Sequence, residues 1–283
     1  MKLGDLIYFW IVAITISSCG KQQNVLLRYE VDGNIKTIRS TGYEAIEKFG
    51  EVTEGDVLYG DILYEEDIHN LIEFNKEGNI TSISYFNNKG DLSKKRLYNY
   101  DEDGKVNTIN NYDGTGDEIG RTVYTYNDNK KVVKVVDYDK SGKEIYTRTS
   151  DWNGDKVIRR QYIKGNTEGG YTLNEYNGNT LVKSVEYDNS SNPTGEYTEY
   201  ENEKVKKIVT NDFAINLTYN DKGLCSSIEN GQRFSINSFW RAKGESYTYD
   251  YIYDAKGNWV RKIERIKESQ KATRILVREI QYY

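Results

Sequence analysis

The first place to look for chemistry is Asn99-x-Asp101-x-Asp103-Gly104. Oxygen side chains at alternate positions before a glycine resemble the opening of a calcium loop, and Val106 stands at the right apolar position. The twelfth position is Asn110, where a bidentate glutamate is needed. An Asp-Gly hairpin turn accounts for the same residues, so a turn is expected and no metal. His69 is the single histidine. Any Ser-His-Asp or Cys-His catalysis, or a histidine zinc site, has to use it, and no activated nucleophile lies near it. The 44 Asp and Glu residues offer material for a carboxylate pair that hydrolyses glycosides. They are spread evenly over turn-like stretches, which points to solvation. The glycine-rich run Gly165-Asn166-Thr167-Glu168-Gly169-Gly170 lacks the Lys-Ser/Thr ending of a phosphate loop. Cys225 reads as a small apolar residue. No enzyme activity, cofactor or metal is expected.

Aromatic side chains are the better hint. The chain holds 26 Tyr and 4 Trp, and exposed rings on a sheet stack on sugars or anchor a protein partner. Trp152, Trp240, Trp259, Tyr247, Tyr249, Tyr251 and Tyr253 are the candidate ligand-binding residues. Tyr247 to Tyr253 alternate, so a regular strand puts all four on one face. Cross-strand packing in a chain short of aliphatics explains most such rings equally well.

The elements that must position these residues are repeats. YNYDEDGKVNTINNYDGTGDEIGRTV from Tyr98 and YTYNDNKKVVKVVDYDKSGKEIYTRT from Tyr124 align without a gap at a period of 26. Opening aromatics recur at Phe74, Tyr100, Tyr126, Trp152, Tyr176, Tyr200, Tyr219 and Tyr253. Each unit has two strand-length runs and two turns rich in Asn, Asp and Gly. The apolar pair φ-x-x-φ (Ile80/Ile83, Val106/Ile109, Val132/Val135) puts its members on opposite faces of a straight strand. Either a bulge re-aims one of them or both faces are covered. Before the repeats, Val25–Ile38 reads as a hairpin turning at Asp32-Gly33-Asn34. Thr41 and Glu44 have capping-box spacing and Gly50 fits a C-cap, so a short helix is expected near Tyr43–Phe49. The fold class is mainly β: an elongated antiparallel meander of hairpin repeats with one N-terminal helix. Residues 25–71 form a cap region and 72–283 the repeat domain.

The N-terminus, MKLGDLIYFWIVAITISSCG, resembles a bacterial lipoprotein signal with its lipobox Ile16-Ser17-Ser18-Cys19. Residues 1–18 are then removed and Cys19 carries lipid, with 19–24 as a tether. The apolar run Leu6–Ile16 is too short for a bilayer core, which needs ~20 residues. Aromatic-Asp-x-x-Gly-x-φ, as in YDEDGKV, YNDKGL and YDAKGNW, resembles the YD repeat of the RHS family and, more loosely, MORN-type repeats. With the lipoprotein start, the array looks like repeat lipoproteins of Bacteroidetes. The resemblance implies a shape and no particular activity.

Net charge is −5 with signs interspersed, so no nucleic-acid partner is expected. The expected protein is a lipid-anchored scaffold or binding surface of the cell envelope. It is placed at the outer membrane facing the periplasm, because the tether GKQQN lacks the acidic run that resembles a surface-export signal. A protein or polysaccharide partner is expected, and the alternative is a glycan-binding lipoprotein of a polysaccharide-uptake system. A glycosidase ranks last.

Overall fold

The computed structural model describes residues 29–58, 69–87, 89–164, 167–211, 214–230 and 245–283. Regular structure in these residues is all β. The strands are β1 (Ile35–Lys48), β2 (Glu51–Val57), β3 (Asn70–Phe74), β4 (Ile80–Phe86), β5 (Leu92–Tyr100), β6 (Val106–Asp113), β7 (Glu118–Tyr126), β8 (Val132–Asp139), β9 (Glu144–Asn153) and β10 (Lys156–Lys164). They continue as β11 (Thr167–Asn177), β12 (Thr180–Tyr187), β13 (Pro193–Glu201), β14 (Lys204–Val209), β15 (Ala214–Tyr219), β16 (Cys225–Asn230), β17 (Tyr247–Tyr253), β18 (Trp259–Ile266) and β19 (Ala272–Tyr282).

The helix expected near Tyr43–Phe49 is instead the second half of β1. Phe49 (φ 55°) and Gly50 (φ 83°) form a two-residue turn between Lys48 and Glu51. Positive φ at both central positions is the geometry of a tight hairpin, so the glycine that reads as a helix cap closes a hairpin. Of the hairpin expected over 25–38, residues 25–28 lie outside the described part. Tyr29–Asn34 is an irregular lead into β1 rather than a partner strand.

The repeats form hairpins, and the turns explain their consensus. In Asp101–Lys105 the Lys105 amide donates to Asp101 Oδ1 at 2.8 Å and the Asp101 amide to Lys105 O at 2.8 Å. Gly104 supplies the left-handed residue (φ 74°). The calcium-like loop is therefore a hairpin turn whose first carboxylate is used on its own backbone. The same geometry recurs at 75–79, 113–117, 127–131, 139–143, 220–224 and 254–258. Register shifts follow these turns, for example between Asn99 and Tyr100 and between Thr125 and Tyr126. Bulges thus resolve the φ-x-x-φ pairs.

The opening aromatic of a unit reaches back to the preceding hairpin. Tyr100 OH donates to Ile80 O at 2.6 Å, Tyr126 OH to Val106 O at 2.7 Å, and Trp152 Nε1 to Val132 O at 2.8 Å. Tyr219 OH and Tyr251 OH do the same to Val205 O (2.6 Å) and Cys225 O (2.7 Å). Lysines at the preceding turns cover the rings: Lys105 over Tyr126 at 5.0 Å, Lys131 over Trp152 at 5.5 Å and Lys204 over Tyr219 at 5.0 Å. The 26-residue period is thus a lock between neighbouring hairpins.

The elongated open meander of RHS/YD-type repeats is overturned. The last strand, β19, pairs with the first, from Ile35↔Tyr282 to Glu44↔Arg274, and β1 pairs on its other edge with β3. β1 and β3–β19, 18 of the sheet's 19 strands, close into one antiparallel barrel; β2 extends β1 beside the ring. Short-range repeats dictate hairpins, but they do not dictate how strongly the array curves. Here the curvature brings the ends together and leaves no open edge.

Directly opposed residues share a face, so the pairing ladder shows which side chains point inward. One face runs Ile38, Ile72, Ile83, then Tyr98, Ile109, Thr122, Asp137 and Tyr146, and returns to Ile38 through Ile280. This face holds Ile38 (0% exposed), Ile72 (1%) and Tyr247 (1%) and packs around Tyr29 and Val31. On the other face Ile252 is 48% exposed, and Ile263 and Ile275 are buried only where Tyr43 and Val52 of the β1–β2 hairpin cover them. The first face lines the interior.

The interior has two halves. Tyr29 and Val31 enter it and pack with Ile35, Ile38, Ile72, Phe74, Ile80 and Ile83. Polar anchors hold this segment: Arg278 Nη1 donates to Tyr29 O at 2.7 Å, and Asn258 Nδ2 donates to Asp32 O at 2.8 Å. A ring of 18 strands encloses more space than wall side chains fill. Over β5–β13 most inward residues are half-buried and many are polar, Arg96, Asp137, Arg148, Arg160 and Glu186 among them, while Val135 and Thr172 are buried, so solvent reaches much of this wall.

Candidate functional site

Of the predicted site residues, Cys19 and Trp240 lie outside the described residues. Tyr247, Tyr249 and Tyr251 share one face as expected, and that face is the interior. Tyr247 and Tyr249 are buried there. Tyr251 is used on Cys225 O, and Tyr253, displaced by a bulge after Ile252, lies under Lys222 at 3.6 Å. Trp259 is 2% exposed, donates from Nε1 to Glu30 Oε2 at 3.0 Å, and has the Arg278 guanidinium 3.5 Å over its ring. Trp152 is locked to Val132 O, as described. These rings hold the barrel together; they form no open platform on its outer wall. His69 Nε2 lies 3.2 Å from Leu58 O, and burial holds its pKa below the ordinary value.

The structure instead assembles a group of inward residues on β9–β13. Arg148 faces Tyr162 across β9 and β10, and Arg160 faces Ser150 on one side and Thr172 on the other. Thr172 faces Glu186 on β12. The rings of Tyr146 and Tyr162 lie 6.1 Å apart at 34°. Ser184 Oγ donates to Asn174 Oδ1 at 2.7 Å and lies 3.5 Å from Tyr200 OH. Burial pushes the hydroxyls of Tyr146, Tyr162 and Tyr200 above their ordinary pKa, so they remain protonated donors at neutral pH. The wall presents rings, guanidinium groups, amides and hydroxyls to one wet space, a surface suited to a polar ligand with many hydroxyls.

Glu186 and Glu196 meet within this group. Burial first, then the charge of Glu196 and the hydrogen bond between the two, pushes Glu186 from 4.5 up to about 8. The pair therefore holds one proton at neutral pH. Because the folded pKa is raised, folding is disfavoured increasingly as pH climbs from about 4.5 to about 8. Glu186→Gln is expected to leave stability unchanged near pH 4.5 and to raise it at pH 8 by roughly 1–2 kcal/mol after allowance for solvent in the lumen, with Tm rising accordingly. Thermal unfolding of both proteins across that range checks the sign; a gain independent of pH contradicts the shared proton.

The sequence reading missed Arg148, Arg160, Glu186 and Glu196. One signal for Arg160 is visible in the repeat. The second φ of successive units is Ile83, Ile109, Val135, Arg160, Ser184, Ile208, Ile228 and Lys262. Every one of them points inward. Arginine stands here in a slot that is otherwise mostly aliphatic.

No protein-family model and no curated relative matches the chain. Among solved structures it is similar to a porin-like protein from Bacteroides uniformis, with 12% identity, a TM-score of 0.42, and coverage of 87% of this chain and 98% of that one. It is also similar to a porin-like protein from Bacteroides vulgatus, with 14% identity, a TM-score of 0.36, and coverage of 89% and 99%. Scores this low leave the reading to the chain's own geometry.

Proposed function

We propose that this chain is a non-catalytic binding protein of the cell envelope: a barrel that stands in water, held to the membrane by lipid on Cys19, with its polar interior as the binding surface. The carrying observation is the outer wall. Lys95, Arg121, Lys134, Arg159, Lys183, Lys207 and Arg261 all lie on the outward face. Asp151, Asp250 and Glu279 are exposed on the same face. Lipid-facing Arg or Lys costs ~2–4 kcal/mol at the bilayer centre, so inserting this wall costs on the order of 10 kcal/mol or more. A lipid-facing barrel needs an unbroken apolar band, and these strands carry charge through their middles. The hydrogen bond between Glu186 and Glu196 sets that one pair closer than the ~5–9 Å spacing of glycosidase carboxylates.

An even, closed antiparallel ring is also the architecture of outer-membrane barrels, and one experiment separates the two. Residues 1–19 are replaced by a cleavable secretion signal. The barrel is expected in the soluble periplasmic fraction, while the full chain stays with membranes until detergent is added. A signal-exchanged barrel that remains in the membrane pellet after carbonate washing overturns the reading.

A further inference from the structure

We infer that Arg160 is the anion-binding residue of an interior site for a carboxylate-bearing sugar. The inference rests on the binding reading above and names its ligand class.

Arg160 and Lys262 occupy the same slot of their repeat units and both point into the barrel. Lys262 has its counter-charge: Glu30, brought in by the segment 29–34, acts on it and is itself fixed by Trp259 Nε1 at 3.0 Å. Arg160 has none. Its interactions are with the phenols of Tyr162, Tyr176 and Tyr200, and among the described residues no carboxylate pairs with it. The half-buried guanidinium faces the lumen with no carboxylate on it among the described residues, so an arriving anion can take the place of water there. The segment that supplies Glu30 makes its anchoring contacts with Phe74, Asn258, Trp259 and Arg278, on the other side of the barrel.

The surroundings of Arg160 suit a sugar better than a bare ion. Tyr146 and Tyr162 offer adjacent rings for a pyranose face. Glu186, in the same cross-strand row beyond Thr172, shares a proton with Glu196, so the pair both donates and accepts toward hydroxyls. A ligand carboxylate on Arg160 thus takes the part that Glu30 plays for Lys262.

Calorimetric titration of the folded barrel with galacturonic acid tetramer, maltotetraose and inorganic phosphate tests this. The acidic tetramer is expected to bind at least tenfold more tightly than either control. Arg160→Gln is expected to weaken it at least tenfold, with circular dichroism and Tm unchanged, and Arg160→Lys to recover part of the loss. Equal binding of maltotetraose overturns the anionic requirement, and equal binding of phosphate overturns the sugar. No binding of the tetramer, or full binding by Arg160→Gln, overturns the site. None of these outcomes changes the fractionation of the signal-exchanged barrel, so the two proposals fail separately.

Discussion

Cysteines at Thr41 and Val277, in a Cys225→Ser background, are expected to form an intramolecular disulfide in high yield. Their Cα atoms are direct partners across the β1–β19 seam, and both side chains lie on the outer wall, where oxidant reaches them. A cross-link between positions 236 residues apart restricts the unfolded chain strongly; the loop-entropy relation gives about 5 kcal/mol as an upper figure, and roughly 2–4 kcal/mol is typical. Non-reducing electrophoresis should show a faster monomer band, and Tm should rise by at least several degrees and fall back on reduction. An open ribbon keeps its first and last strands apart. Such a chain gives only intermolecular dimers, and that result refutes closure.

Trp259→Ala is expected to be the most damaging single truncation among the candidate aromatics. The ring is 2% exposed, packs edge-on against Tyr251 at 5.9 Å, and carries the Arg278 guanidinium at 3.5 Å. Its Nε1 also holds Glu30, which counters Lys262. Truncation leaves a cavity, removes one hydrogen bond from Glu30 and loosens the N-terminal segment together. A buried Trp→Ala change costs about 3–5 kcal/mol from the cavity alone, or a Tm loss of roughly 8–15 °C in a chain of this size. Trp152 is half-buried and its indole makes one backbone hydrogen bond, so Trp152→Ala is expected to cost less than half as much. Equal losses at the two positions would show that both tryptophans act only as repeat locks, with no special role for the N-terminal segment.

The two variants probe the part of the molecule that local patterns left open. Turn chemistry was legible within the repeats, because Asp101, Gly104 and their equivalents act within five residues of each other. The repeat period and the even strand of Tyr247, Tyr249 and Tyr251 were legible for the same reason, whereas the φ-x-x-φ pairs left a bulge and two covered faces as equal alternatives. The helix expected near Tyr43–Phe49 failed where strand pairing took over: Tyr43 and Glu44 pair with β19 and the run from Tyr43 to Lys48 pairs with β2, which outweighs a capping-box signal on one short segment. The candidate site was largely hidden. Arg160 shows in the sequence only as a break in an aliphatic slot, while Glu186 and Glu196 look like ordinary surface acids.

Sequence by itself determined hairpins, their turns and the aromatic lock that spaces them at 26 residues. These come from backbone sterics and contacts no farther away than the neighbouring unit. Only the tertiary structure decided that the array closes, which face becomes the inside, and that the tyrosines of β17 are buried rather than displayed. Closure is a sum of small twists over 18 strands, completed by pairing Ile35 with Tyr282. No window of sequence contains that sum. Until the two ends meet, inside and outside do not exist for any residue between them.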